Sequence, residues 1–267
     1  MSKQILTGPV RPEHEVRAIE TATVVNNHEV AEEVFITKFH SPVIARLVKA
    51  GQFVMVSFPG CFDPLLARAF SVSDVQGKNL SLFYSAVGKG TRRLSKLRKG
   101  DAVTINGPLG NGFPKLSKGE RVYVVLGGSG AALVPILCRS AKRSGAKMTV
   151  FYGARTKRHL VAFKNHKIHH ATDDGSKGYH GTVINLLREH FEEERPDKIF
   201  GCGPTPMLAA LQRDFDGDLP VYISVETPMA CGMGFCQGCP VKIYDGRGYF
   251  LACKDGPVFN AKEIELE

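Results

Sequence analysis

Arg121-Val-Tyr-Val-Val-Leu126 is followed directly by Gly127-Gly128-Ser129-Gly130 and then by Ala131-Ala132. The first six residues are nearly all apolar, which is typical of a strand buried in a parallel sheet. The glycines then form a turn, and a helix is predicted from Ala131 to Ser144. Such a turn lets phosphate oxygens reach backbone N–H groups at a helix N-terminus. Because the full dinucleotide fingerprint is missing, the turn alone fits a simple connection as well as a cofactor site.

The residues after this turn continue to alternate between strands and helices, which predicts an α/β unit with a parallel sheet. A second glycine turn, Gly201-Cys202-Gly203-Pro204, follows the predicted strand Lys198–Phe200. Two such turns at neighbouring strand ends would form one crevice, where open α/β sheets bind ligands. The other predicted elements of this unit are Lys147–Tyr152, Val183–Glu194, Pro206–Asp214 and Val221–Ser224.

The part of the chain before Lys118 has a different pattern, with short strands separated by turn residues. Strands at this spacing, with one short helix-like stretch at Gly90–Leu97, predict an antiparallel barrel or sandwich. Turns are predicted at Asn26-Asn27, Lys49–Gly51, Gln76–Asn79 and Lys99–Asp101. The predicted strands are Ile19–Val25, Val30–Lys38, Gln52–Phe58, Ala69–Val72, Leu80–Tyr84 and Ala102–Ile105.

Two short stretches of the predicted barrel carry groups suited to a phosphate-bearing cofactor. Arg68-Ala69-Phe70-Ser71 places a cation and an aromatic ring on one face of a strand and a hydroxyl on the other. The same pattern also describes an ordinary alternating strand. Gly88-Lys89-Gly90-Thr91 leads into the helix-like stretch and is a candidate cradle for a pyrophosphate.

Cys231, Cys236, Cys239 and Cys253 have the spacing C-x4-C-x2-C-x13-C. This is the plant-type spacing of the ligands of a 2Fe–2S cluster. Gly232, Gly234 and Gly238 are expected to let the backbone curl around the cluster through positive φ angles. A structural zinc site is the alternative, but such sites normally use pairs of C-x2-C, and only one is present. The remaining cysteines, Cys61, Cys138 and Cys202, are expected to be small buried residues.

The composition limits the classes of partner. Lys and Arg outnumber Asp and Glu by 35 to 26, which gives a net charge of +9. The positive residues are scattered apart from clusters at Arg92–Lys99 and Arg155–Arg158, so we predict no nucleic-acid partner. No apolar run is long enough to span a bilayer, and the N-terminus lacks the apolar core of a signal peptide. A cytoplasmic protein without a membrane partner is therefore expected.

The order of barrel, nucleotide unit and cysteine cluster resembles the ferredoxin–NADP reductase superfamily. More closely, it resembles the electron-transfer subunits of the NAD-linked, type B dihydroorotate dehydrogenases. The resemblance runs from about Val24 to Phe259 and is most specific at Cys253-Lys-Asp-Gly-Pro-Val-Phe259. It implies domains at 1–116 (FAD-binding barrel), 117–225 (NAD(P)-binding α/β unit) and 226–267 (2Fe–2S domain).

The resemblance also implies the cofactor sites. The FAD site would comprise Arg68, Ala69, Phe70, Ser71, Phe83, Tyr84, Ser85, Gly90 and Thr91. The pyridine-nucleotide site would comprise Gly127, Gly128, Ser129, Gly130, Gly201, Cys202, Gly203 and Pro204, and the cluster would be held by Cys231, Cys236, Cys239 and Cys253. Three residues depart from the family pattern: Ala69 replaces a proline, Ser85 replaces a basic residue, and Ala132 stands where a proline is common. No classical catalytic residue is implied.

The function implied is electron transfer from a separate FMN-containing dihydroorotate dehydrogenase catalytic subunit, through the cluster and FAD, to NAD⁺ in pyrimidine biosynthesis. A heterotetramer with two copies of each subunit is expected. Because a basic pocket accepts a 2′-phosphate, the basic stretch Arg155–Arg158 makes NADP(H) an alternative to NAD(H) as the nucleotide. The alternatives are a flavin–iron–sulfur subunit of a hydrogenase, sulfite reductase or transhydrogenase, a redox-sensing regulator, and a zinc-stapled nucleic-acid-binding protein.

Overall fold

The computed structural model describes residues 17–60, 62–163, 166–215, 217, 219–246 and 248–266. The N-terminal stretch and Cys61, for which we made predictions, lie outside these residues. Cys202 is buried and Cys138 is half-buried.

Residues 18–109 form a closed antiparallel barrel with the strand order β1-β2-β5-β4-β3-β6. The predicted barrel is therefore confirmed. Two short helices, α1 (Pro42–Leu47) and α2 (Lys89–Ser95), lie between its strands. The strands are β1 (Ala18–Ala31), β2 (Val34–His40), β3 (Phe53–Ser57), β4 (Arg68–Gln76), β5 (Asn79–Ser85) and β6 (Ala102–Leu109).

The turn predicted at Asn26-Asn27 is wrong, because β1 continues through both residues. The amide of Asn27 instead makes tertiary contacts: its Nδ2 donates to the carbonyl oxygens of Leu94, Ser95 and Leu97 at the end of α2. The chain reverses later, where Glu33 adopts a φ of 55°. The N–H of Glu33 donates to Glu29 Oε1 over 2.8 Å and stabilises this turn.

The second unit is a seven-stranded sheet with the order β10-β9-β8-β7-β11-β12-β15. All neighbouring pairs are parallel except β12 with β15. The predicted α/β unit is confirmed. Its helices are α3 (Val134–Ser144), α4 (Val183–Glu193) and α5 (Thr205–Phe215). Its strands are β7 (Arg121–Gly127), β8 (Lys147–Ala154), β9 (Ile168–Thr172), β10 (Tyr179–His180), β11 (Lys198–Cys202), β12 (Val221–Ser224) and β15 (Val258–Asn260).

The helix predicted from Ala131 begins later than expected. Residues Gly128–Leu133 form a 3₁₀ helix, and α3 starts only at Val134. The tighter coil brings Gly130 against the carbonyl of Cys202 on the neighbouring strand. Packing between the two glycine turns therefore determines the backbone conformation of residues Gly128–Leu133.

The C-terminal segment contains a two-stranded sheet of β13 (Pro240–Lys242) and β14 (Tyr249–Leu251). The strand β15 comes from the same segment but pairs with β12 of the α/β sheet. The cysteine loops are therefore attached to the larger unit through backbone hydrogen bonds. The domain boundaries given above remain a prediction.

The barrel and the α/β unit share buried apolar side chains and one bidentate ion pair. Arg139 on α3 donates through Nε and Nη2 to the two carboxylate oxygens of Asp74 on β4, each over 2.9 Å. Phe113 from the connecting segment stacks on Phe200 of β11, with ring centroids 4.5 Å apart. Within the described residues, none of the helices has the length and apolar character needed to cross a bilayer.

Candidate cofactor sites

Four thiols come together in the C-terminal segment. The Sγ atoms of Cys239 and Cys253 are 3.2 Å apart. Cys231 forms the other pair with Cys236, whose N–H lies 3.5 Å from the Cys231 sulfur and whose thiol also donates to it. The N–H of Gly234 donates to Cys253 Sγ over 3.1 Å and so ties the first cysteine loop to the second pair.

This grouping into two pairs distinguishes the two kinds of metal centre. Among the residues that the structure describes, no three Cys, His, Asp or Glu side chains surround a position for one ion. A structural zinc ion needs four ligands around a single centre. The two irons of a 2Fe–2S cluster share four thiolates. The arrangement in two pairs therefore fits a 2Fe–2S cluster.

Backbone N–H groups stabilise the thiolate form of one of the four cysteines, Cys231. Burial acts to raise the pKa of Cys231, but N–H donors from Cys236 and Met233 outweigh it and lower the pKa to about 6. Burial and the neighbouring Cys239 raise the pKa of Cys253 to about 12. N–H groups directed at thiolate sulfurs also orient and tune bound clusters.

Two of the three predicted glycine conformations in this loop are confirmed. Gly232 and Gly234 have φ angles of 69° and 86°. The prediction for Gly238 is wrong, because the positive φ falls on the preceding residue, Gln237, at 54°. Gly232 is also needed for space, since a Cβ atom there would lie 2.6 Å from Cγ of Met55.

The predicted flavin residues lie at one end of the barrel. Arg68 begins β4, and its side chain packs over Gly90 in the first turn of α2; a Cβ on Gly90 would lie 2.8 Å from Arg68 Cγ. The Arg68 guanidinium donates to the carbonyl of Leu66 over 2.8 Å. Thr91 Oγ1 accepts the N–H of Gly88 over 2.9 Å and fixes the same turn. The structure therefore brings together the predicted cation and the predicted pyrophosphate cradle.

The aromatic residues of this region face different neighbours. Phe70 packs edge-on against Tyr84, with ring centroids 5.4 Å apart. Tyr84 lies inside the barrel, where burial raises its pKa to about 12. Phe83 points the other way and packs against Phe163 of the α/β unit, at 6.2 Å. Ser71 and Ser85 are partly exposed.

A single side chain links the flavin strand to the cysteine loop. Met55 on β3 pairs directly with Ala69 on β4, and it also lies against Gly232 between the first two cysteines. Asn106 on the neighbouring β6 makes a second contact to the loop, with Nδ2 3.7 Å from Met233 Sδ. Neighbouring strands are about 4.8 Å apart. Only one strand therefore separates the predicted flavin strand from the predicted cluster loop.

The two glycine turns meet as the sequence predicts. β7 and β11 are adjacent and parallel, with Leu126 paired to Cys202. A Cβ on Gly127 would lie 2.9 Å from Pro204, and one on Gly203 would lie 2.9 Å from the N atom of Gly127. Side chains at these positions would force the turns apart, so the glycines keep the crevice at the carboxyl edge of the sheet compact.

A carboxylate that the site prediction missed lies in this crevice. Ser129 Oγ donates to Glu226 Oε1 and Oε2 over 3.2 and 3.3 Å. Glu226 is exposed to solvent, but partial burial raises the pKa of its carboxyl, and the hydrogen bond from Ser129 only partly opposes this. Burial, with the Glu226 charge beside it, also raises the pKa of Cys202. Glu226 is the first residue of the segment that resembles the family's cluster segment, but the predicted nucleotide site does not include it. Its position just after β12, at the same sheet edge, is the one signal that could have found it.

The exposed side chains of Arg155, Lys157 and Arg158 follow the carboxyl end of β8. The N–H of Asp173 donates to the carbonyl of Ala154, which places an acidic residue beside this basic stretch. The preference between NADH and NADPH remains a prediction.

Curated relatives match nearly the full chain. An electron transfer subunit of dihydroorotate dehydrogenase B (NAD(+)) from Caldanaerobacter subterraneus subsp. tengcongensis is 36% identical over 248 residues, covering 91% of this chain and 97% of the relative. The chain belongs to this family. The corresponding subunit from Desulforamulus reducens is 36% identical over 256 residues, covering 92% and 98%. Residues 226–265 match the family model described as the iron–sulfur cluster binding domain of dihydroorotate dehydrogenase B.

Solved structures share the fold. A chain of the NADH-dependent reduced ferredoxin-NADP oxidoreductase, studied for flavin-based electron bifurcation, is 28% identical with a TM-score of 0.81, covering 92% of this chain and 90% of that one. The ferredoxin reductase of carbazole 1,9a-dioxygenase is 20% identical with a TM-score of 0.66, covering 79% and 70%.

The family membership confirms the broader predictions. The chain is an oxidoreductase subunit for electron transfer, and the cofactors of its family are FAD, a 2Fe–2S cluster and NAD. The predicted partner, a dihydroorotate dehydrogenase catalytic subunit, is confirmed as well.

Proposed function

We propose that this chain passes electrons from dihydroorotate, oxidised on an FMN-containing catalytic partner, through a 2Fe–2S cluster and FAD to NAD⁺ in pyrimidine biosynthesis. The observation that carries the proposal is the position of Met55, which contacts both the flavin strand and the cluster loop. Electron transfer between two cofactors requires them to be close, and one intervening strand satisfies this requirement. A heterotetramer with two copies of each subunit is part of the proposal.

The cofactors divide the chemistry among them. A nicotinamide takes up two electrons as hydride, an iron–sulfur cluster carries one electron at a time, and a flavin can do both. We assign the cluster to Cys231, Cys236, Cys239 and Cys253. We assign the FAD pyrophosphate to Arg68 and the turn at Gly90, and the pyridine nucleotide to the crevice between the turns at Gly127–Gly130 and Gly201–Pro204.

In this arrangement the protein positions the cofactors and performs no acid–base chemistry of its own. Arg68 and the backbone of the α2 turn fix the flavin end of the barrel. Gly127 and Gly203 let the two turns that border the nucleotide crevice pack closely. Ser129 and Glu226, both exposed, offer a donor and an acceptor in the crevice. Phe235, which is 82% exposed beside the exposed Cys236, marks the face that the partner covers.

The test separates the two halves of the relay in the purified complex with its catalytic partner. Cys253→Ser removes a buried cluster ligand, so we expect loss of the cluster's visible absorption and at least a hundredfold fall in dihydroorotate-dependent NAD⁺ reduction. NADH-dependent dye reduction, which needs only FAD and the pyridine-nucleotide crevice, is expected to stay within twofold of the wild-type rate.

The matched control is Cys138→Ser. Cys138 lies on α3 away from the other thiols, and burial raises its pKa to about 11, so this thiol stays protonated at neutral pH. Both activities should survive in this variant. Retention of the dihydroorotate-dependent activity in Cys253→Ser would show that electrons bypass the cluster and would refute the relay.

A further inference from the structure

A cavity of about 940 Å³ lies between the barrel and the α/β unit, and no cofactor assigned above uses it. Its walls come from α1, the β4–β5 turn, the segment at Phe113–Leu116 and the outer face of α3. Ligand sites occur preferentially at domain interfaces and typically enclose about 300 to 1,000 Å³. The cavity therefore has the size and position of a small-molecule site.

The cavity has an apolar floor. Val75, Phe113, Leu116 and Ile136 line it, with Phe200 behind the stacked ring of Phe113. These side chains are buried or half-buried. They cannot hold a small hydrated ion, and they offer a surface to a flat organic ring.

The rim of the cavity carries charge of one sign. Its described lining residues include six cations and no carboxylate; the cations are Arg46, Lys49, Lys78, Lys115, Arg139 and Arg143. In the part of the chain that the structure covers, Arg46, Lys78, Lys115 and Arg143 make no ion pair. Arg139 is paired with Asp74, which does not line the cavity. A cleft lined by one sign of charge concentrates ions of the opposite sign.

This cavity is remote from the cofactor sites. Arg68–Ser71 begin β4, whereas Val75 lies near its far end and Gly77 just after it. At about 3.3 Å per residue, Ser71 and Val75 are about 13 Å apart and Arg68 and Gly77 about 30 Å apart. In the α/β unit, Leu116 precedes the amino end of β7 and Ser144 precedes the amino end of β8. Both therefore lie at the sheet edge opposite the glycine turns. A molecule bound here would not touch the flavin or pyridine-nucleotide positions.

We propose that the cavity binds an organic phosphate of nucleotide size, with its ring on the apolar floor and its phosphate among the rim cations. The volume exceeds that of a bare phosphate, and the floor supplies the contact for a ring. The four unpaired cations supply more charge than a simple carboxylate would need. Because the walls belong to both units, the ligand would hold α1 and the β4–β5 turn against α3.

The experiment uses the complete holo-complex saturated with NADH, which fills the pyridine-nucleotide crevice. Binding of AMP and UMP is measured by calorimetry at low and at physiological salt, with uridine and inorganic phosphate as partial probes. We expect both nucleotides to bind and each partial probe to bind at least tenfold more weakly. Affinity should fall as salt rises, because exposed charges are screened.

Variants locate the site. Lys78→Ala with Lys115→Ala should weaken nucleotide binding at least tenfold, and Arg143→Ala alone should weaken it severalfold. Lys142→Ala is the matched control, because Lys142 is an equally exposed cation next to Arg143 that does not line the cavity. All variants should keep wild-type NADH-dependent dye reduction.

Three results would overturn the proposal. One is absence of nucleotide binding at millimolar concentration in the NADH-saturated complex. Another is equal weakening by Lys142→Ala and Arg143→Ala, which would indicate a diffuse charge effect. The third is inorganic phosphate binding as tightly as the nucleotides, which would show that the apolar floor takes no part. None of these results bears on the electron relay.

Discussion

At the scale of the residue, Gly130 shows how a missing side chain shapes the pyridine-nucleotide crevice. A Cβ atom there would clash with the carbonyl of Cys202, which is backbone and cannot move aside cheaply. We therefore expect Gly130→Ala to separate the two turns and to raise the KM for NADH at least tenfold, a cost of about 1.4 kcal/mol. Steady-state dye reduction measures this change, while FAD and cluster absorption should stay at wild-type levels.

The control for this prediction is Gly217→Ala, where an added Cβ atom meets nothing within 4 Å. Its KM for NADH should not change. An unchanged KM in Gly130→Ala would mean that nucleotide binding does not depend on close packing of the turns. The sequence predicted both turns from their glycines and the strand Val221–Ser224, but it did not show that Glu226, just after that strand, contacts Ser129.

At the scale of the element, the ion pair between Asp74 on β4 and Arg139 on α3 connects two units that the sequence predicts separately. Burial alone would raise the pKa of Asp74, but hydrogen bonds from Arg139 and Gln76 lower it below 3.8. Asp74→Asn should lower the free energy of unfolding by about 1 to 2 kcal/mol at neutral pH, allowing for partial solvent screening. Denaturation of the holoprotein measures the difference.

The pH dependence has a definite sign. Because the folded pKa of Asp74 is lowered, its stabilisation is present above the unfolded value of 3.8 and is lost as the pH falls towards the folded value. The difference in free energy of unfolding between wild type and Asp74→Asn should therefore become smaller as the pH falls below 3.8. Arg92→Gln breaks the exposed pair with Glu33 and should cost no more than about 0.5 kcal/mol. Equal costs for the two variants would contradict a special role for the interdomain pair.

Elements with a strong local pattern were predictable, and elements set by distant contacts were not. The apolar run of β7 and the alternating strands of the barrel follow from their own residues. The turn expected at Asn26-Asn27 failed because Asn27 bonds to α2, far away in sequence. The strand β15 went unpredicted because its place is fixed by pairing with β12. Likewise, cysteine spacing predicted the cluster, but the contact with Met55 depends on the barrel.

At the scale of the whole molecule, the chain is arranged as an intermediary between two partners of different chemistry. The pyridine-nucleotide crevice opens at the carboxyl edge of the sheet. The cysteine loop packs on β3 through Gly232 and exposes Cys236 and Phe235 to solvent. We expect the catalytic partner to cover this surface, because aromatic residues are enriched among those that dominate interface energy. Because the loop has one face on the barrel and one face exposed, we expect electrons from the partner to enter on the exposed face.

This arrangement predicts that complex formation and nucleotide chemistry are separable. Phe235→Ser should lower the affinity for the catalytic partner at least tenfold, because exposed aromatic residues dominate interface energy. Dihydroorotate-dependent NAD⁺ reduction should fall with the fraction of complex, while NADH-dependent dye reduction and the cluster spectrum should persist. Val43→Ser, at an exposed apolar residue on α1 at the far end of the barrel, should change neither. If Phe235→Ser binds the partner with wild-type affinity, as measured by sedimentation, the partner must approach the cluster from another face.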